Sequence, residues 1–218
     1  MSELLKKELL LKTEDFVKAK IEGDAGHDWW HVHRVRNTAL SIAIKEKADL
    51  FIVELAALLH DIADHKFHDG DEKIGSITAR NWLKELDVEE HHILHICEII
   101  TDLSFKGANV DTSMRTLEGK IVQDADRLDA IGAIGIARAF SYGGFRNREL
   151  YNPTISPTLH SSFEAYKNDN GHTINHFYEK LFLLKKRMNT DSGKQIAEER
   201  HKFMEEYVRR FLDEWEGK

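Results

Sequence analysis

The chain has one cysteine, Cys97, and two prolines, Pro153 and Pro157, among 218 residues. A lone cysteine excludes an intrachain disulfide framework and fits a reducing, cytoplasmic setting. So few prolines leave long stretches free to form unbroken helix. No apolar run approaches the roughly 18–20 residues that a membrane-spanning helix needs, so no membrane partner is expected. An excess of positive charge is missing too: 31 Lys and Arg against 38 Asp and Glu leave a net charge of −7. Nucleic-acid binding rests on neutralising phosphates with Lys and Arg, so a nucleic-acid partner is not expected either. The opening residues, Met1 to Glu8, mix both charge signs, unlike a secretory signal. Internal repeats, low-complexity tracts and a convincing domain linker are also lacking.

What remains is the composition of a globular chain, 41% hydrophobic and 32% charged. The length suits one domain with a sizeable core. Histidine is plentiful, at 13 residues. That abundance directs attention to metal or acid–base chemistry.

Apolar residues recur at three- and four-residue steps, the period of an amphipathic helix. Val32, Val35, Ala39, Ile42 and Ala43 form one stripe, and Ile52, Leu55, Ala56, Leu59 and Ile62 a second. Phe177, Leu181, Leu184 and Met188 form a third, and Met204 to Trp215 a fourth. Weaker patterns predict helices over 3–21, 71–86, 89–103 and 157–168. The Ala- and Ile-rich stretch from Ile121 to Tyr142 reads as one central helix buried on most sides. Asp28 is placed to cap a helix opening at Trp29. Breaks are expected at Gly23–Gly26, Phe67–Asp71 and Lys106–Asn109, with the longest irregular loop running from Gly143 to Pro157. The fold class is therefore all-α, a single-domain helical bundle over 1–218.

Three places carry polar groups where an apolar helix should not need them. His60-Asp61 follows Ala56-Ala57-Leu58-Leu59, and an imidazole beside a carboxylate at a buried run costs free energy unless something pairs with them. By itself such a dipeptide is more simply a hydrogen-bonded helix end. His31 stands in the first turn of the helix after Asp28, with Arg34 three residues on and nearly on the same face. Asp124, Asp126 and Asp129 crowd an otherwise apolar segment, so one of them should point inward at a positive charge.

Taken in order, these residues resemble the HD-domain phosphohydrolases. His31 followed by Arg34-Val35, then Leu58-Leu59-His60-Asp61-Ile62, then Asp124-Ala125-Asp126-Arg127-Leu128 match the family's successive motifs. The phrases Lys120 to Gly135, His176 to Leu181 and Gly193-Lys194 extend the likeness to a bacterial subgroup of about this length similar to nucleotide pyrophosphohydrolases. The resemblance implies core motifs in 28–130 with C-terminal helices over 157–216 packed on them. It implies that His31, His60, Asp61 and Asp126 bind one divalent metal ion: manganese, magnesium, cobalt, nickel, iron or zinc. Two imidazoles and two carboxylates suit such an ion and leave positions for water and a phosphate oxygen.

Some family members hold two metals through extra histidines, but Ile99 to Phe105 has none, so one ion is expected. Asp64, three residues beyond Asp61, fits the acid that activates the attacking water, making Asp61 and Asp64 the catalytic pair. Arg34, Lys66 and Lys180 are the candidate substrate contacts. His91 and His95 have metal-ligand spacing but sit in a polar run, and His91→Ala should be near neutral.

The implied activity is hydrolysis of nucleotides, most directly (deoxy)nucleoside triphosphates to monophosphate and pyrophosphate. Alarmone, cyclic-nucleotide or nucleoside monophosphate hydrolysis are alternatives, as is a non-catalytic nucleotide sensor braced by its metal. The expected partner is a small phosphorylated molecule; the sequence leaves the oligomeric state open.

Overall fold

The computed structural model describes residues 1–21, 28–62, 74–103, 113–158 and 171–218. Within these the chain is helical and contains no strand. Its α-helices are α1 (Glu3–Lys20), α2 (Trp29–Glu46), α3 (Leu50–Leu59), α4 (Ile74–Glu85), α5 (Glu90–Leu103), α6 (Leu117–Asp129), α7 (Gly132–Phe145), α8 (Thr173–Glu179) and α9 (Asp191–Trp215). A 3-10 helix, Leu181–Arg187, joins α8 to α9. The all-α reading therefore holds. The chain divides into two compact units: α1 to α5 with α6 as far as Ala125, and Asp126 onward with α7 to α9.

The first unit is built around α3. This helix starts where the Asp49 carboxylate accepts hydrogen bonds from Phe51 N (2.9 Å) and Ile52 N (3.2 Å). Every described residue from Phe51 to Leu59 except Glu54 is buried. A helix apolar all round belongs inside, and α1, α2 and α5 pack against it. Each buried Leu or Ile contributes about 1.5–3 kcal/mol relative to exposure. Glu54 escapes the apolar rule by pairing with Arg36 of α2, whose Nη1 also meets Glu14 of α1 at 2.7 Å. One guanidinium thus ties three helices. On the outer side Trp82 of α4 stacks on Phe16 of α1, ring centroids 4.0 Å apart, and donates to Thr13 Oγ1 at 3.1 Å.

In the second unit α9 lays Gly193, Ala197, His201, Met204 and Val208 inward at three- and four-residue steps. Phe140 of α7 meets Phe177 of α8 and Tyr207 and Phe211 of α9 at centroid distances of 6.0–6.1 Å, an aromatic cluster of which Phe177 is the fully buried member.

Three expectations need correcting. The helix predicted over 121–142 is two helices, broken at Ala130-Ile131. Gly132 opens α7 with φ +76°, a backbone state that L side chains rarely adopt. A Cβ at Gly135 would lie 2.3 Å from the Ala130 carbonyl oxygen, so the turn closes tightly on a residue that has none. Apolar periodicity runs straight through such a corner because both helices bury the same kind of side chain. Next, Gly143 and Gly144 belong to α7 rather than to the following loop; Gly143 lets Thr173 approach, since a Cβ there would stand 2.2 Å from Thr173 Oγ1. Finally, the stripe from Phe177 to Met188 changes from α-helix to 3-10 helix at Lys180, where Leu181 and Leu184 keep the threefold spacing that a 3-10 turn presents on one side. The loop expectations at 23–26, 67–71 and 106–109, and all but the first two residues of the helix expected over 157–168, lie outside the described residues.

Candidate metal centre

α2 opens as the sequence suggests. The Asp28 carboxylate accepts a hydrogen bond from the His31 backbone N–H at 2.9 Å, which fixes the first turn and with it His31. His31 is 1% exposed. His60 follows the last residue of α3 with helical backbone angles, φ −60° and ψ −31°. Its Nδ1 lies 2.8 Å from the Ala57 carbonyl oxygen. A carbonyl only accepts, so Nδ1 carries the hydrogen, and a neutral His60 ring keeps its lone pair on Nε2.

That Nε2 faces His31 Nε2 at 3.2 Å. Such an approach is made either by one ring donating to the other or by one cation taking both lone pairs. Two nitrogens bound at right angles to an ion about 2.1 Å away stand about 3 Å apart, which matches. The carboxylates favour the cation. Asp61 Oδ2 is 3.9 Å from His31 Nε2. His31, His60 and Asp126 each offer a ligand atom, all within 4.8 Å of one another. Asp126 is the first residue past the division between units, but it stands on the same unbroken helix as Asp124 and Ala125. Two imidazole nitrogens with carboxylate oxygens beside them form the mixed nitrogen and oxygen donor set that suits a divalent ion. The residues present fit that ion.

Two further acids of α6, Asp124 and Asp129, are also placed. Asp124 is fully buried, and Asp129, 4% exposed, accepts a hydrogen bond on its carboxylate from Arg138 Nη1 at 2.6 Å. Neither Arg138 nor Arg200, which reaches the same corner, stands out in the sequence, because nothing in their spacing ties them to Asp129. Arg34 is half-buried on α2, and Lys180 is exposed at the end of α8. Burial, reinforced by the charges of Lys180 and Arg148, pushes the His176 imidazole down to about 3, so it is neutral at physiological pH. Asp64 and Lys66 lie outside the described residues.

His95 does not pair with His91. Its Nε2 lies 3.0 Å from Thr116 Oγ1 and 3.7 Å from Glu118 Oε2. Instead Glu89, His91 and His92 bring ligand atoms within 4.8 Å of one another, a grouping of near neighbours to which the four-residue spacing of His91 and His95 does not point. It is more exposed than the His31 group and stands at the start of α5, where the helix dipole opposes a cation.

The HD domain family pattern matches residues 29–131, from the start of α2 to the α6–α7 corner. YpgQ of Bacillus subtilis is 44% identical over 186 residues, covering 85% of this chain and 82% of YpgQ. A crystal structure of an HD-superfamily hydrolase from Bacillus thuringiensis shares 45% identity, with a TM-score of 0.79 over 98% of this chain and 100% of that one. The crystal structure of Bacillus subtilis YpgQ in complex with ADP gives a TM-score of 0.77 over 96% of both chains, with 36% identity over that longer alignment. With its histidines and aspartates in the matched order and its helices superposable on these structures, the chain belongs to the HD-domain family.

Proposed function

We propose that the chain is a divalent-metal-dependent phosphohydrolase that cuts nucleoside triphosphates to monophosphate and pyrophosphate. The observation that carries the reading is the facing pair of imidazole nitrogens, His31 Nε2 and His60 Nε2 at 3.2 Å, with carboxylates beside them. His31, His60, Asp61 and Asp126 would hold the ion. When bound, it would polarise a phosphoryl oxygen and lower the pKa of a water molecule.

The chain's own groups do the rest. The Ala57 carbonyl holds the His60 tautomer, so that nitrogen rather than N–H faces the centre. Asp64 accepts a proton from the attacking water. Water adds to the α-phosphorus as the bond to the bridging oxygen breaks, and pyrophosphate leaves with that oxygen. Arg34, Lys66 and Lys180 offset charge on the phosphate oxygens. The ADP held by YpgQ supports a nucleotide as the ligand class.

The test is a panel of nucleotides with manganese or cobalt, products separated by chromatography, with His60→Ala as control. Monophosphate and pyrophosphate in equal amounts, lost in the variant, are expected. Release of inorganic phosphate alone would move the cut to the terminal bond. Nucleotide binding without any turnover would favour a sensor instead.

A further inference from the structure

The last turn of α6 is held by more side-chain bonds than a helix end requires. A helix normally leaves its final carbonyls to water. Here Arg200 of α9 donates from Nη1 to the Leu128 carbonyl at 2.6 Å. Arg138 of α7 donates from Nη1 to the Asp129 carbonyl at 3.3 Å and to the Asp129 carboxylate at 2.6 Å. Arg127 donates to the Arg187 carbonyl. The aliphatic part of Arg200 lies over the α6–α7 turn, where a Cβ on Gly132 would stand 2.9 Å from Arg200 Cγ. Cations at the carbonyl end of a helix also complement its dipole.

Asp126 sits one turn before Asp129 on the same side of α6. Helix ends fray, and a frayed last turn would swing the Asp126 carboxylate away from His31 and His60. We infer that Arg138 and Arg200 are positioning residues for Asp126: by locking the final turn of α6 they keep a metal-binding carboxylate in register. The inference rests on the metal-centre reading above.

A merely structural role would lower stability and leave metal binding alone, so the two are separable. Metal-stripped wild type, Arg138→Met, Arg200→Met, Arg138→Lys, Asp129→Asn and Asp126→Ala are titrated with Mn2+ by calorimetry. Each is also melted with and without Mn2+. Arg138→Met and Arg200→Met are expected to weaken Mn2+ binding about tenfold and to shrink the metal-induced rise in Tm. Arg138→Lys, which keeps one charged donor, should recover part of that loss. Asp129→Asn preserves shape and serves if the methionine variants do not fold; it should weaken Mn2+ binding in the same direction. Lower metal-free Tm values with wild-type Mn2+ affinity and an unchanged metal-induced rise would overturn the inference. Wild type that binds no Mn2+ would instead overturn the metal-centre reading. Wild-type Mn2+ affinity in Asp126→Ala would remove Asp126 as the group being positioned.

Discussion

At the scale of single residues, the centre depends on which nitrogen of His60 carries hydrogen. The Ala57 carbonyl settles that through a backbone contact 2.8 Å long, which no substitution of Ala57 by another non-proline residue would remove. His60→Ala should therefore abolish stoichiometric metal binding, whereas His91→Ala should keep it; metal content after dialysis distinguishes the two. His31, His60, Asp61 and Asp126 are singled out in the sequence by their resemblance to the family's successive motifs, since a His-Asp pair after an apolar run is by itself more simply a hydrogen-bonded helix end. Arg138 and Arg200 are not, because an arginine that meets a carboxylate or carbonyl nine and seventy-two positions away looks like any solvated arginine until the helices pack. Asp124 stands out with Asp126 and Asp129 as an acid in an apolar segment, but that it is the fully buried one comes from packing that spacing does not reveal.

At the scale of elements, an apolar stripe that opens behind a capping acid, as α2 does behind Asp28, can be read directly. Asp28 and Asp49 both cap helices, α2 and α3. Asp28→Ala should cost about 1 kcal/mol, measured by denaturant unfolding, and loosen the turn that carries His31. The corner between α6 and α7 could not be read, since Ala, Ile and Gly pattern alike on either side of it. There Gly135→Ala should be far more damaging than an ordinary helical Gly→Ala change. The added carbon would meet the Ala130 carbonyl at 2.3 Å, and neither backbone segment can yield cheaply. A loss above about 3 kcal/mol, read as a fall in the denaturant midpoint, is expected. A neutral or stabilising effect would mean that the corner is looser than described.

At the scale of the whole molecule, proton and metal binding both link to stability. His176 has its proton affinity pushed down to about 3, below the ordinary 6.5, by burial and by Lys180 and Arg148. Between those values the unfolded chain binds a proton that the folded chain refuses. The contribution is thus fully present above about pH 6.5 and is lost as pH falls toward 3, at up to about 1.4 kcal/mol per pH unit. A His176→Asn variant should show a shallower loss of Tm with acid than wild type over that window. Metal should act in the opposite direction: an ion bound only by the folded chain at a hundred times its Kd adds about 2.7 kcal/mol.

The most direct measurement is a crystal structure of the protein grown with Mn2+, with anomalous data collected at the manganese edge. One strong peak about 2.0–2.3 Å from His31 Nε2 and His60 Nε2, with Asp61 and Asp126 completing the set, is the expected result. A peak at Glu89, His91 and His92 instead, or none beside His31 and His60 at saturating manganese, would contradict it.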